Sequence, residues 1–94
     1  MKVVGRNVLE EFGRNHADVL SQLKCWLREA ESAEWQSPKD IKQRYPHASI
    51  LSDNRVIFNL KGNKYRLEAK INYTVGLVLI KRMGTHGEYS KWDL

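Results

Sequence analysis

The chain has 94 residues, a formal net charge of +5 and a pI near 9.5. This length corresponds to one domain, residues 1–94, which is long enough to bury a core without metal ions or disulfides. The single cysteine, Cys25, excludes an internal disulfide. No apolar run approaches the roughly 18 residues that a membrane-spanning helix requires.

The positive charge is concentrated in the second half of the chain. Residues 1–48 contain eight Lys and Arg against seven Asp and Glu, whereas residues 49–94 contain eight against four. This excess favours an anionic or acidic partner. Charged residues within the first twelve positions argue against a signal peptide. We expect a cytoplasmic protein in which Cys25 is a buried or half-buried thiol.

The first half of the chain has helical periodicity. Residues 6–14 place apolar side chains at helical spacing, and Gly13 is expected to end that helix. A second helix is expected to begin at Asn15 as N-cap. Ser37-Pro38 begins a short third helix, which the Tyr45-Pro46 pair ends. The apolar stripe of the second helix consists of Val19, Leu20, Leu23, Trp26, Leu27 and Ala30.

From Ala48 onward the pattern is typical of strands joined by tight turns. Strands are expected at 49–51, 55–60, 64–72 and 77–83. The last of these is nearly all apolar, which predicts burial on both faces. Met1 to Val4 is too short to assign. Three or four antiparallel strands with two helices on one face make an α+β domain.

The strand at 64–72 alternates without a break, with polar residues at even positions and apolar residues at odd ones. Because successive side chains point to opposite faces, Lys64, Arg66 and Lys70 share one cationic face. The segment from Gly84 to Tyr89 then supplies an imidazole, a carboxylate and a phenol just past a strand end. Together these features indicate a phosphate site.

Two segments resemble the HigB family of toxins from bacterial toxin–antitoxin systems, within the wider RelE/ParE-like group. They are Phe58-Asn59-Leu60-Lys61-Gly62-Asn63-Lys64-Tyr65-Arg66-Leu67 and Gly84-Thr85-His86-Gly87-Glu88-Tyr89. The resemblance implies a RelE-like microbial RNase-type fold, with two N-terminal helices on one face of a small, mainly antiparallel sheet. It also implies an mRNA endonuclease (an mRNA interferase) that acts on messages in the ribosome, inhibits translation and is neutralised by a HigA-like helix-turn-helix antitoxin.

The chain departs from the family pattern at two positions. Lys61-Gly62-Asn63 stands where family members often have Gly-Gly-Asn, which keeps the central glycine and adds a charge. Ser90 stands where an Asp usually follows the Glu-Tyr pair, which removes a carboxylate near the expected site.

Metal-independent RNA cleavage requires a base for the 2′-hydroxyl, cations around the phosphate and an acid for the 5′-oxygen. Arg66 and Lys70 are the expected charge stabilisers, and the planar fork of Arg66 suits a phosphate. His86 is the first candidate for acid or base, with Tyr89 as donor or stacking group and Glu88 as a base or a partner of His86. No metal or cofactor is expected. The expected catalytic residues are His86, Tyr89, Arg66, Lys70 and Glu88, and the expected RNA-binding residues are Lys64, Arg82, Lys91 and Arg55.

Two alternatives remain open on the sequence. One is a non-enzymatic ParE-like inhibitor of DNA gyrase on the same fold, and the other is a simple RNA-binding module. Neither would need His86 as a proton-transfer group. His16 and His47 are assigned as surface or structural histidines.

Overall fold

The computed structural model describes residues 1–94 as four helices and a five-stranded sheet. A 3-10 turn at Ala17–Val19 separates the first two helices. The elements are β1 (Lys2–Val4), α1 (Arg6–Asn15), α2 (Leu20–Ser32), α3 (Pro38–Arg44), β2 (Ser49–Ile50), β3 (Arg55–Leu60), β4 (Tyr65–Asn72), β5 (Leu77–Thr85) and α4 (His86–Tyr89). No helix has the length and apolar character needed to cross a bilayer.

The strands lie in the order β1-β5-β4-β3-β2, with β4 at the centre. The pairs β2–β3, β3–β4 and β4–β5 are antiparallel, as expected of a meander. The edge strand β1 adds a fifth strand, which is parallel to β5, and the chain passes through α1 to α3 and the meander β2–β4 between the two. The sequence left this strand unassigned.

The core lies between the three longer helices and one face of the sheet. The apolar stripe of α2 is confirmed, since Val19, Leu23, Trp26 and Ala30 are buried. The odd residues of β4 are confirmed as the apolar side, and Trp26 meets Phe58 edge to face at 5.2 Å. Burial of these side chains fixes the register of β4, since a slip of one residue would turn its charged residues into the core.

Both glycine-containing turns of the sheet form as the sequence predicted. Lys61 and Gly62 have φ of 54° and 66° in the β3–β4 hairpin, and Gly76 has φ of 73° before β5. The short helix α3 begins at Pro38 and ends before Tyr45, also as predicted.

Several boundary predictions were wrong. Gly13 does not end α1 but lies buried inside it, where a Cβ would come within 2.6 Å of the Leu20 side chain. Asn15 is therefore the last residue of α1, and α2 begins after the 3-10 turn with Val19 as its N-cap residue. Gly13 allows α1 to pack closely against Leu20, and it does not end the helix as the sequence predicted.

The prediction for β5 was wrong in length and in burial. The strand continues through Gly84 to Thr85, because β4 pairs with it as far as Tyr65 opposite Thr85. Val78 and Ile80 are buried, while Leu77 and Leu79 are only half-buried. The prediction of a buried thiol was also wrong, since Cys25 is exposed on α2, off the apolar stripe.

Candidate active site

Arg66 is the second residue of the central strand β4, on the sheet face that points away from the main core, and only 7% of its surface is exposed. Its Nη1 donates to the carbonyl of Asn63 at 2.5 Å, and its Nη2 lies 3.4 Å from Nδ1 of His86. Its guanidinium carbon lies 4.7 Å from the centre of the Tyr89 ring. No carboxylate forms an ion pair with it. We call Arg66, His86 and Tyr89 the Arg66 cluster.

A capping box holds His86 at the first position of α4. The Thr85 hydroxyl accepts from the Glu88 N–H at 3.2 Å, and the Thr85 N–H donates to Glu88 Oε1 at 2.8 Å. The His86 N–H also donates to the carbonyl of Lys64 at 2.8 Å. These bonds orient the backbone that carries the imidazole, which itself is exposed.

Tyr89 and Trp92 form an aromatic layer on the same sheet face. Their ring centres are 5.4 Å apart, and the two rings meet edge to face. Trp92 lies against Gly84, where a Cβ would come within 2.8 Å of Cζ2 of the indole. Any side chain at position 84 would displace Trp92, so Gly84 is needed for the packing of the indole against β5.

Glu88 binds the backbone at the start of its own helix. Hydrogen bonding from the Thr85 N–H lowers the pKa of Glu88, with a smaller effect from His16. The carboxylate therefore stays ionised as a cap. No contact joins it to His86, the partner that the sequence suggested.

Lys70 and Lys64 do not join the Arg66 cluster. Lys70 is four residues from Arg66 along β4, which is about 13 Å, and its ammonium pairs with Asp53 at 3.1 Å. Lys64 precedes β4, and its Nζ pairs with Asp18 at 2.7 Å on the helix side. Asp18 also accepts from the Tyr65 hydroxyl at 2.7 Å.

Arg82 and Arg55 converge on Glu68, which is 3% exposed on the same sheet face as Arg66. Arg82 Nε donates to Glu68 Oε1 at 2.6 Å, and Arg55 Nη1 lies 3.7 Å from Oε2. Arg82 also lies 4.1 Å from the Trp92 ring centre. We call Glu68, Arg82 and Arg55 the Glu68 cluster. The single negative charge of Glu68 is shared by two arginines, so the cluster keeps one uncompensated positive charge.

Lys91 and Ser90 follow α4 on the exposed side. Lys91 is exposed, and its ammonium forms no ion pair. Ser90 Oγ donates to the Gly87 carbonyl at 2.8 Å, so the residue that replaces the family's usual Asp closes the end of α4. No three His, Cys, Asp or Glu side chains are grouped as metal ligands.

A separate cleft of about 270 Å³ lies beside α2 and α3, lined in part by Cys25, Glu29 and Tyr45. The Tyr45 hydroxyl and Arg44 Nη2 both donate to Glu29, while the buried Nε1–H of Trp26, which also lines the cleft, has no hydrogen-bond partner. Burial and that hydrogen bond raise the pKa of Tyr45. The chemistry expected for phosphate is at the Arg66 cluster, which this cleft does not include.

The structure adds residues that the sequence did not place in the site. A single carboxylate in a basic strand gives no sign that Glu68 binds two arginines. Only the fold brings Trp92 beside Gly84 and Tyr89. No local pattern predicts either contact.

A comparison with protein families identifies the class of protein to which this fold belongs. Residues 20–92 match the model of a family described as HigB_toxin, the RelE-like toxic component of a toxin–antitoxin system. The chain belongs to this HigB toxin family. A search of curated proteins finds no match. The α+β architecture is compatible with the RelE-like fold, and membership implies an antitoxin partner.

Proposed function

We propose that this HigB-family toxin is a metal-independent mRNA endonuclease that cuts RNA at the Arg66 cluster. The observation that carries the proposal is Arg66, a nearly buried cation with no carboxylate partner. A buried charge without a counter-charge is unfavourable, so the site favours an anion. A phosphodiester supplies that charge and matches the guanidinium fork.

In the proposed reaction the RNA 2′-oxygen attacks the adjacent phosphorus, and the bond to the 5′-oxygen breaks. Two of the five Arg66 N–H groups are used by Asn63 and His86, which leaves three for the phosphate oxygens as negative charge develops. His86 and Tyr89 are the groups in reach for proton transfer. The proton lost by the 2′-hydroxyl and the one gained by the 5′-oxygen pass through this pair.

The proposed biological context follows from the family and the charge. The substrate is mRNA on the translating ribosome, so cleavage inhibits translation in the cytoplasm. The partner is a HigA-like helix-turn-helix antitoxin. The excess of Lys and Arg in residues 49–94 supports an RNA substrate, and an antitoxin with an acidic segment would fit the same charge.

The first test is expression of Arg66→Ala and His86→Ala, each beside the wild type. Removal of one preorganised donor is expected to reduce the cleavage rate about 10²- to 10³-fold. New RNA ends, mapped soon after induction, should disappear with both variants, while folding and antitoxin binding persist. Lys70→Ala is the matched control, because Lys70 pairs with Asp53 and should leave cleavage unchanged.

Proton-transfer roles can be separated with a substrate in which sulfur replaces the 5′-oxygen, since a thiolate leaves without an acid. A variant that lacks the acid should regain most of its lost rate on this substrate. DNA breaks without new RNA ends would instead identify a gyrase inhibitor. Full toxicity of both Arg66→Ala and His86→Ala would contradict the proposal.

A further inference from the structure

A second polar site lies beside the Arg66 cluster, between α1 and the last residues of β5. This α1–β5 groove encloses about 370 Å³, and α4 closes it through Glu88. We propose that the groove binds one nucleobase of the RNA next to the scissile phosphate and so selects which messages are cut. The inference rests on the proposed function and names a substrate-recognition site for it.

The groove exists because β5 loses its outer neighbour halfway along its length. The strand β1 pairs only with Leu77 to Leu79, and from Ile80 onward α1 lies beside the sheet edge. An edge with unpaired backbone groups and room for a ligand is a place where a sheet protein can bind a partner.

A β-bulge in β5 brings the basic residue Lys81 to this groove. In the β4–β5 register Glu68 pairs with Arg82 and Ala69 pairs with Ile80, so Lys81 is left without a partner. As a result Lys81 lines the groove together with the adjoining part of Arg82, whose guanidinium lies on the Glu68 and Trp92 side. Bulges of this kind often re-aim side chains beside active sites.

The opposite wall supplies an aromatic ring and neutral polar groups. Phe12, Asn15 and His16 lie three and four residues apart, which places them on one side of α1. The rings of Phe12 and His16 stack with centres 4.0 Å apart. The Asn15 side-chain amide has no hydrogen-bond partner in the structure, which leaves both donors and an acceptor free.

The hydrogen bonding of His16 identifies its free atom. Its Nδ1 lies 3.1 Å from the Phe12 carbonyl, which can only accept, so Nδ1 carries the proton. Nε2 is then a lone-pair acceptor in the neutral ring, and no protein group donates to it. The wall therefore offers one acceptor from His16, and donors and an acceptor from Asn15.

These groups fit a nucleobase better than a second phosphate. The groove is lined by two carboxylates, Glu11 and Glu88, against one free cation, Lys81, because Arg82 pairs with Glu68, so the groove does not attract a second anion. A base edge presents donors and acceptors together, and single-stranded RNA is recognised through such edges. The volume is at the small end of ligand pockets, which suits one base. Glu88 and His86 belong to the same one-turn helix α4, so a base in the groove would lie within about 10 Å, one helix diameter, of His86.

The test uses the catalytically inactive His86→Ala protein and four single-stranded RNA tetramers that differ in one base. In this background, Asn15→Ala and His16→Ala should each weaken binding of the preferred tetramer about three- to tenfold, the range for one or two lost hydrogen bonds. Both substitutions should also reduce the difference in binding affinity among the four tetramers. Asn7→Ala and His47→Ala are matched controls, because both residues are exposed and outside the groove.

The second measurement is the base composition around RNA ends in cells that express Asn15→Ala or His16→Ala in the otherwise wild-type toxin. Cleavage should persist with a broader base preference. Unchanged affinities and unchanged cleavage positions would overturn the inference. Loss of antitoxin binding with RNA binding intact would also overturn it, because the groove would then be a protein interface. If the wild type fails to cut RNA yet its base-dependent binding needs Asn15 and His16, the groove stands and the endonuclease proposal fails.

Discussion

At the residue scale, Arg66 differs from most other cations of its sheet in having no carboxylate. Lys64, Lys70, Arg55 and Arg82 each pair with an acidic side chain. A paired cation binds an incoming phosphate less favourably, because the existing ion pair must first be broken or shared. The free charge is therefore confined to Arg66 and nearby exposed lysines.

Asp18 shows how one carboxylate can join the helices to the strand that carries Arg66. Hydrogen bonding from Lys64, and then from Tyr65, lowers the pKa of Asp18 to about 2. Because the folded value is below the unfolded value of about 4, the stabilisation is present above pH 4 and is lost as the pH falls toward 2.

Asp18→Asn should therefore lower the unfolding midpoint at pH 7, and its difference from the wild type should shrink as the pH falls from about 4 to 2. Thermal unfolding followed by circular dichroism over this range measures the effect. Asp93→Asn is the control, since Asp93 is exposed and forms no ion pair. A constant difference at every pH would rule out the Asp18 carboxylate as its source.

Residue types and spacing predicted Arg66, His86 and Tyr89 as neighbours, and the structure brings these three together. Chain position alone could not separate Arg66 from Lys70, because both lie on one face of β4. The difference depends on Asp53, which a turn places beside Lys70. Glu88 was likewise misjudged as a partner of His86, since Glu at the third position after Thr85 is also the pattern of a capping box.

At the element scale, α4 is only His86–Tyr89, and its position depends on Thr85. A helix of one turn has little stability of its own, because nucleation is unfavourable. Thr85→Ala removes half of the capping box and should lower the free energy of unfolding by about 1 kcal/mol. It should also reduce cleavage more than stability alone explains, because His86 begins this helix.

Stability and cleavage can be measured in the same Thr85→Ala preparation, below its unfolding range. Thr85→Ser keeps the hydroxyl oxygen and should restore both. Ser90→Ala is a matched control at the other end of α4, where a single hydrogen bond to Gly87 is lost. Equal effects of Thr85→Ala and Ser90→Ala on cleavage would show that the cap does not position His86.

The strands β4 and β5 are joined to the C-terminal residues by the Glu68 cluster. Glu68 holds Arg82 against Trp92, and Trp92 contacts Tyr89, while Arg55 Nη2 donates to the Leu94 carbonyl at 2.9 Å. The hydrophobic pattern of β4 predicted its core face, but it contained no information on these contacts. The two hydrogen bonds join residues 14 and 39 positions apart, beyond the reach of local periodicity.

Glu68→Gln keeps the shape of the side chain and removes the charge that both arginines share. The free energy of unfolding should fall by about 2 kcal/mol, the usual effect of removing one partner from a buried charged hydrogen bond. Urea unfolding measures the loss, and Trp92 fluorescence should report the release of Arg82 from the indole. A variant as stable as the wild type would show that the two arginines gain nothing from Glu68.

At the scale of the whole molecule, the net charge of +5 overstates the charge available to RNA. Of the eight cations in residues 49–94, four pair with carboxylates and four do not. Three of the unpaired ones, Arg66, Lys81 and Lys91, lie on β4, on β5 and just after α4, whereas Lys61 lies in the β3–β4 hairpin, where its backbone bonds Gln22 of α2. Single-stranded binding through about three phosphates predicts a slope near −2 in a plot of log affinity against log salt. If the cations that form ion pairs also contacted phosphates, four or more contacts would give a slope of about −3 or steeper.

The slope can be measured with the His86→Ala protein and a short single-stranded RNA between low and physiological salt. Lys91→Ala should make the slope shallower by about 0.7, the contribution of one phosphate on a single strand. Lys70→Ala should leave it unchanged, because its ammonium already pairs with Asp53 about 13 Å from Arg66. If Lys70→Ala and Lys91→Ala reduce the slope equally, RNA must extend along β4 toward Asp53, and the path through Arg66 and the α1–β5 groove would be incorrect.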